Sequence, residues 1–298
     1  MKSGFVSIIG RPNVGKSTLL NQILGLKVAI TSAKPQTTRT QIQGIYTSDE
    51  GQIVFIDTPG VNKPVHKLDE YMQEAASRCM SGVDKVLLLV EPGKPREKDL
   101  DVLAKLKGQS AEVILVINKK DSVGAPEILQ TITAWKDLHD FSDLIPISAK
   151  TGEGVDDLLR TLFRELPEGP AYFPEDMFTD QPEKQLMAEF VREKALYVLQ
   201  DEIPHGIAVV IDQFSEREDK EIVDIDATII CEKESHKPII LGKGGRTIKE
   251  IGTQARREME DFLGCKVSLH LWVKIKERWR DSDFLIRNYG FDKKDLEL

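Results

Sequence analysis

The sequence predicts a doubly wound, mostly parallel α/β domain followed by a smaller α+β unit. Three observations carry this. Short Val/Ile/Leu runs alternate with helical patterns through the first half. A glycine-rich cationic loop, GRPNVGKS, joins the first such run to the first helical pattern. From residue 165 a proline-rich stretch ends the alternation, and a different pattern follows it.

In the first half, strands are expected at 5–10, 40–47, 52–57, 85–91, 113–118 and 144–148. Helices are expected near 17–24, 68–81, 98–107, 128–139 and 155–166. Runs such as VLLLV and VILVI are apolar without alternation, as strands covered on both faces require. The stretch ELPEGPAYFPEDMFTDQP holds four prolines and no period, so it reads as a linker. The expected division is a domain at 1–168, a linker at 169–182 and a second domain at 183–298. That second part reads as a helix at 183–202, then strands at 206–214 and 222–231 joined by the charged turn SEREDKE. KPIILGKGG, a helix at 247–262 and a last strand at 266–276 complete it.

A chain of 298 residues is long enough for two cores. Its net charge of −8 does not attract nucleic acid as a whole, so any RNA site must be a local basic patch. Cys79, Cys231 and Cys265 fit no metal-ligand spacing and read as free thiols in a reducing compartment. The apolar run after Lys2 is too short for a signal peptide, and no segment reaches membrane-spanning length, so a cytoplasmic protein is expected.

GRPNVGKS, residues Gly10 to Ser17, has the spacing G-x-x-x-x-G-K-[ST]. Glycines let backbone N–H groups close on an anion, and the positive end of the following helix faces the same point. Lys16 reaches β- and γ-phosphates, and the Ser17 hydroxyl suits Mg²⁺. DTPG follows the strand QIVFID. Asp57 at that strand's end is placed to hold Mg²⁺, and Gly60 to offer its N–H to a γ-phosphate. NKKD, beginning at Asn118, follows VILVI. Asp121 can accept from guanine N1–H and the exocyclic amine, which adenine cannot match. SAK, Ser148 to Lys150, follows LIPI, and the Ala149 backbone is placed to meet guanine O6. All four stretches end strands, where open α/β sheets bind ligands.

This set resembles the translation-factor class of P-loop GTPases over residues 1 to about 166. The resemblance implies that GTP or GDP is held by Gly10, Asn13, Val14, Gly15, Lys16, Ser17 and Thr18, with Asp57 and Gly60. It implies a base site at Asn118, Lys119, Asp121, Ser148, Ala149 and Lys150. It makes AKPQTTRTQ the first switch and gives Mg²⁺ a third ligand, Thr38, with Thr37 the second choice. Catalysis would rest on Lys16, Thr38, Gly60 and Asn13. Ras-like enzymes carry a glutamine after the DxxG glycine, but here the position is Val61, so intrinsic hydrolysis is expected to be slow. Related GTPases without that glutamine use K⁺ held partly by an asparagine matching Asn13. A plain turn residue is the other reading of Asn13.

In the second part, ILGKGGRTIKEIG frames a G-x-x-G turn, Gly242, Lys243, Gly244 and Gly245. Such a turn lets a sugar–phosphate chain approach closely, and Arg246 and Lys249 extend its charge. Residues 236–281 hold eleven Lys and Arg against six Asp and Glu, a local reversal of the global sign. LWVKIKERWR reads as an edge strand with one cationic face, and Trp272 and Trp279 as core or covering residues, with base-stacking platforms the other reading. The order helix, two strands, GxxG, helix, strand resembles a type II KH domain, which clamps single-stranded RNA.

A GTPase domain followed by a KH domain, with FPEDMFTD and LWVKIKERWR, resembles the Era family over the full length. The resemblance implies a GTP-hydrolysing switch for small ribosomal subunit assembly that binds the 3′ end of small-subunit rRNA. It implies a monomer in the cytoplasm, with peripheral association at the inner face of the membrane. A second reading is an RNA chaperone or binding module in which GTP is mainly structural.

Overall fold

The computed structural model describes residues 1–60, 64–79, 82–217 and 221–296. Val61 therefore lies outside the described residues. The chain forms two compact units. The first comprises residues 1–29, 38–63 and 72–180, and the second 30–37, 64–71 and 181–298.

The first unit is a six-stranded sheet with helices on both faces. Its elements are β1 (Lys2–Ile9), α1 (Lys16–Leu24), β2 (Ile42–Ser48), β3 (Gly51–Asp57), α2 (Lys67–Arg78, begun in the second unit) and β4 (Lys85–Val90). They continue as α3 (Glu97–Lys105), β5 (Glu112–Ile117), α4 (Ala125–Trp135), β6 (Phe141–Pro146) and α5 (Val155–Glu165). The strand order is β2-β3-β1-β4-β5-β6, with β2 antiparallel to β3 and the other neighbours parallel. Alternate residues of β4 serve opposite faces. Leu87 and Leu89 pack with Leu19, Leu158 and Leu162, while Val86 and Leu88 pack with Cys79, Leu103 and Trp135. Burying both faces explains why VLLLV shows no alternation. Burial also pushes the Cys79 thiol up to about 12, which leaves it a packing group.

Element boundaries differ from the expectation by a few residues. The strand expected at 144–148 is Phe141–Pro146, and the helix expected at 128–139 begins earlier, at Ala125, with Pro126 in its first turn. The segment after residue 168 is bonded to the first sheet. The Gln52 side-chain oxygen accepts from the N–H groups of Tyr172 and Phe173 at 2.7 and 3.0 Å. Ile45 N donates to Phe178 O at 2.9 Å, and the Thr179 hydroxyl to Gln43 O at 2.7 Å, so the segment runs beside β2.

The second unit contains α6 (Glu183–Val198), β7 (Ala208–Glu216), β8 (Ile222–Cys231), α7 (His236–Leu241), α8 (Arg246–Leu263), β9 (Lys266–Ile275) and α9 (Asp283–Asn288). The expected helix 183–202 stops at Val198, and KPIIL of KPIILGKGG lies in α7. β8 pairs antiparallel with β7 and parallel with β9, so β9 is an edge as LWVKIKERWR predicted. Leu186, Phe190, Ile225, Ile229, Ile251 and Met259 form part of the core under α6 and α8.

Residues 30–37 are fastened within this unit by α6 and its end. Glu193 accepts from Thr31 N at 2.9 Å, the Tyr197 hydroxyl donates to Thr31 O at 2.8 Å, and Arg192 donates to Thr37 O. Residues 64–71 are fastened there too. His66 Nδ1 lies 3.1 Å from Asp281 Oδ1, Lys67 pairs with Asp283, and Tyr71 meets Phe291 edge-on.

Candidate functional site

The loops that follow β1, β3, β5 and β6 share one edge of the first sheet. In the first, Gly15 adopts φ 103°, and a Cβ there would stand 2.3 Å from Asn118 Nδ2. Glycine is required for both reasons. Lys16 opens α1 with its ammonium buried, 3.2 Å from Gly10 O and 3.5 Å from Arg11 O. Burial lowers its pKa, although Asp57 opposes this. Thr18 continues α1.

Asp57 is fully buried at the end of β3. Burial raises its pKa against the opposing effects of Lys16 and Ser17. Its Oδ2 accepts from Ser17 Oγ at 2.6 Å, and Ser17 Oγ lies 2.9 Å from Thr38 Oγ1. Asp57 Oδ1 is buried with no partner. An orphaned carboxylate oxygen costs about 1–3 kcal/mol. Beside two hydroxyls it forms a hard-oxygen set suited to Mg²⁺. The two threonines differ in their contacts. Thr37 Oγ1 donates to Lys34 O at 2.7 Å, whereas the Thr38 hydroxyl stands with Ser17. Thr58 Oγ1 donates to Ile8 O at 3.1 Å and ties DTPG to β1. Gly60 lies against the first loop, where a Cβ would meet Pro12 Cγ at 2.9 Å.

Asn118 joins three loops. Its Nδ2 donates to Val14 O at 2.7 Å, and its Oδ1 accepts from Ala149 N at 2.9 Å. Lys119, in left-handed backbone at φ 65°, donates from Nζ to Asn13 O at 2.9 Å. Asp121 is exposed in a 3₁₀ turn at 120–122. Ser148 is buried, its Oγ accepting from Thr151 N at 3.2 Å, and Lys150 is exposed. The first unit thus gathers every predicted phosphate, metal and base residue at one edge. The motifs missed Arg11, Glu91 and Asp99, which form ion pairs beside them. The available signal was an acid, Glu91, directly after VLLLV at that same edge.

In the second unit, Gly244 and Gly245 take φ 63° and 76° in the turn between α7 and α8. Lys243, Arg246 and Lys249 are exposed around it. A groove of about 410 Å³ between α8 and β9 is lined by Ile248, Lys249, Gly252, Arg256, Leu271 and Trp272. Trp279 is fully buried and donates to Gly206 O at 2.9 Å, as a core residue should. Trp272 departs from that expectation. It is 50 % exposed, because its position on β9 faces this groove.

Phosphate loop, DTPG, NKKD and SAK on this sheet, joined to a helix–turn–helix glycine motif on a three-stranded sheet, define a P-loop GTPase carrying a KH domain. A family model described as a 50S ribosome-binding GTPase matches residues 5–119, and one described as a KH domain matches 202–280. The chain belongs to the Era family of GTPases. It is 51% identical to GTPase Era of Caldanaerobacter subterraneus subsp. tengcongensis, over 97% of this chain and 98% of that one. It is also 51% identical to GTPase Era of Clostridium botulinum strain Kyoto, over 98% and 99%. A crystal structure of an Aquifex aeolicus Era variant bound to GDP·AlF4⁻ superposes with TM-score 0.94 at 41% identity, over 98% of this chain and 99% of that one. An Era structure in complex with MgGDPNP and nucleotides 1506–1542 of 16S ribosomal RNA gives 0.94 at 40% identity, with the same coverage.

Proposed function

We propose that this GTPase is a nucleotide-driven switch in small ribosomal subunit assembly that binds the 3′ end of small-subunit rRNA through its KH unit. The observation that carries this is the Gly242–Gly245 turn with exposed Lys243, Arg246 and Lys249 beside the α8–β9 groove. The complex of a 40% identical relative with 16S rRNA supports it.

In this reading Gly10, Asn13, Val14, Gly15, Lys16, Ser17 and Thr18 enclose the phosphates of GTP or GDP. Asn118, Lys119, Asp121, Ser148, Ala149 and Lys150 surround the guanine. Ser17, Thr38 and Asp57 would hold Mg²⁺, which supplies positive charge to the β- and γ-phosphates. Lys16 adds a fixed cation, and Gly60 offers a backbone N–H to the γ-phosphate. Asn13, at φ 66° with an exposed side chain, offers a neutral oxygen to K⁺. GTP turnover at equal ionic strength should then be faster in KCl than in NaCl, by up to about 10²–10³-fold, the scale on which one preorganised charge acts at a reacting centre. Equal rates would remove K⁺ from the account.

We also propose that the nucleotide alters RNA affinity. GTP is expected to order residues 33–40 and 58–67, and of these 33–37 and 64–67 fall in the KH-containing unit, where Thr37 O accepts from Arg192 and His66 meets Asp281. The cytoplasm is the expected site of action, with peripheral membrane contact. Among the described residues no helix is long and apolar enough to cross a membrane.

Titrating a single-stranded RNA of the rRNA 3′ end tests the KH reading. Replacing Lys243 and Arg246 by Ala should weaken binding about tenfold and flatten the salt slope by about 1.4, at about 0.7 per phosphate contact on single strands. RNA-free GTP hydrolysis should stay unchanged. Wild-type affinity in the double variant would refute the surface, and equal affinities with GDP and a non-hydrolysable GTP analogue would refute the switch.

A further inference from the structure

The sheet order sets β4 between β1 and β5. A residue just past β4 therefore stands between the phosphate loop and the NKKD loop. That residue is Glu91. Its Oε2 accepts from Arg11 Nη2, and its Oε1 accepts from Lys119 Nζ. Each oxygen of one carboxylate thus serves a different loop.

The surroundings strengthen the arrangement. The Glu91 side chain is 18% exposed and that of Arg11 12%, so solvent screens their pair far less than an ordinary surface pair. Arg11 Nε also lies 3.2 Å from Asp99 Oδ1, and Arg96 Nη2 lies 3.6 Å from Glu91 Oε2. Asp99 is itself fixed, accepting from Arg96 N at 3.0 Å. On the far side, the Lys119 ammonium that Glu91 holds also donates to Asn13 O at 2.9 Å. From Arg11 in the phosphate loop the chain of contacts runs through Glu91 and Lys119 back to Asn13 in the same loop, with Asp99 paired to Arg11 at its outer end. Although burial raises the Glu91 pKa, its bonds to Lys119 and Arg11 hold the carboxyl below the usual range, so it is charged at neutral pH.

We propose that Glu91 is a positioning residue for guanine nucleotides, its carboxylate fixing the phosphate loop and the NKKD loop at the separation that one nucleotide spans. This rests on assigning those two loops to phosphate and base. A ligand that must engage both loops gains from their being held in place before it arrives. With Glu91 neutral, Arg11 and Lys119 lose their shared anchor, and the bound nucleotide escapes more readily.

The test uses the full chain loaded with N-methylanthraniloyl-GDP and chased with excess GDP. Glu91→Gln should release the nucleotide about tenfold faster, the effect of losing one charge-assisted bond. Arg11→Gln should accelerate release similarly, and the double variant should release no faster than the faster single variant, because both cut one bridge. At saturating GTP the kcat of Glu91→Gln should stay within about twofold while KM rises. Wild-type release from Glu91→Gln would overturn the proposal. So would rates that multiply in the double variant, or a kcat that falls with the folded fraction while release is unchanged. If Glu91→Gln does not fold, Arg11→Gln carries the same reading, because it leaves the acid in place. Failure of the base-site assignment is visible separately, as unaltered base preference on changing Asp121.

Discussion

Replacing Lys16 by Ala should weaken GTP binding and cut hydrolysis by about 10²–10³-fold, the scale on which one preorganised charge acts at a reacting centre. The fold should survive. In this structure the Lys16 ammonium is buried on two backbone carbonyls, at 3.2 and 3.5 Å, and burial drives its pKa down. Those bonds are long for an ammonium, which carries three donors. A cation so held contributes little to stability, since desolvation offsets its attraction to Asp57. Asp57 adjusts when Lys16 goes. Burial already raises its pKa, and loss of the nearby cation raises it further, which lowers the cost of protonating the carboxyl, while the Ser17 hydroxyl still donates to it. Thermal melting of the nucleotide-free variant should therefore lie within about 1 kcal/mol of wild type, and calorimetric titration with GTP should show the large loss. GTP affinity within tenfold of wild type would contradict the role of Lys16. A variant that lost GTP but still supported ribosome maturation would favour an RNA-binding module over a switch.

Much of the nucleotide edge was legible because each motif sits where a strand's run of apolar residues stops. GRPNVGKS, DTPG, NKKD and SAK are local strings, and their backbone geometry follows from glycine, strand end and helix start. The GxxG turn was legible for the same reason. What stayed hidden depends on single side chains reaching across long sequence separations. Arg192, Glu193 and Lys194 are a run of charges in α6. They are buried, and the first two hold the backbone of Thr37 and Thr31. Nothing in AKPQTTRTQ announces that partner. Gln52 is likewise an ordinary strand residue by pattern, yet its side chain fixes Tyr172 and Phe173. Glu91 needed the strand order, because only adjacency of β4 to both β1 and β5 brings Arg11 and Lys119 to one carboxylate. A tryptophan on a strand is usually covered, yet Trp272 is half-exposed. Here β9 is an edge whose alternate residues open onto a groove.

Changing Asp121 to Asn should reverse base preference, lowering guanine nucleotide affinity relative to xanthine nucleotide by about 10⁴-fold, as expected where a site is built around specific hydrogen bonds. The chemistry is complementary atom by atom. Guanine presents N1–H and an exocyclic amine, two donors, to a carboxylate that only accepts. Xanthine replaces the amine with a carbonyl. An Asn amide accepts from N1–H and donates to that carbonyl, while against guanine its NH₂ meets another NH₂. Adenine offers no donor at either position, so neither residue favours it. The structure makes this an isolated change. Asp121 is exposed at the turn, and the scaffold bonds nearby are made by other residues. Asn118 joins Val14 to Ala149, the Ser122 hydroxyl closes on Lys119 O at 2.7 Å, and Lys120 N reaches Ile147 O at 3.0 Å. Removing one carboxylate oxygen should leave all of these intact, so melting should be unaltered. Competition of GDP and xanthosine diphosphate for the same labelled nucleotide reads the reversal directly, and a variant that still prefers guanine would remove Asp121 from base recognition. Asn118 should behave differently. Both of its side-chain polar atoms bond other loops, so Asn118→Ala should lose affinity for guanine and xanthine nucleotides alike. Reversal at one residue and uniform loss at its neighbour would separate recognition from support within a single four-residue motif.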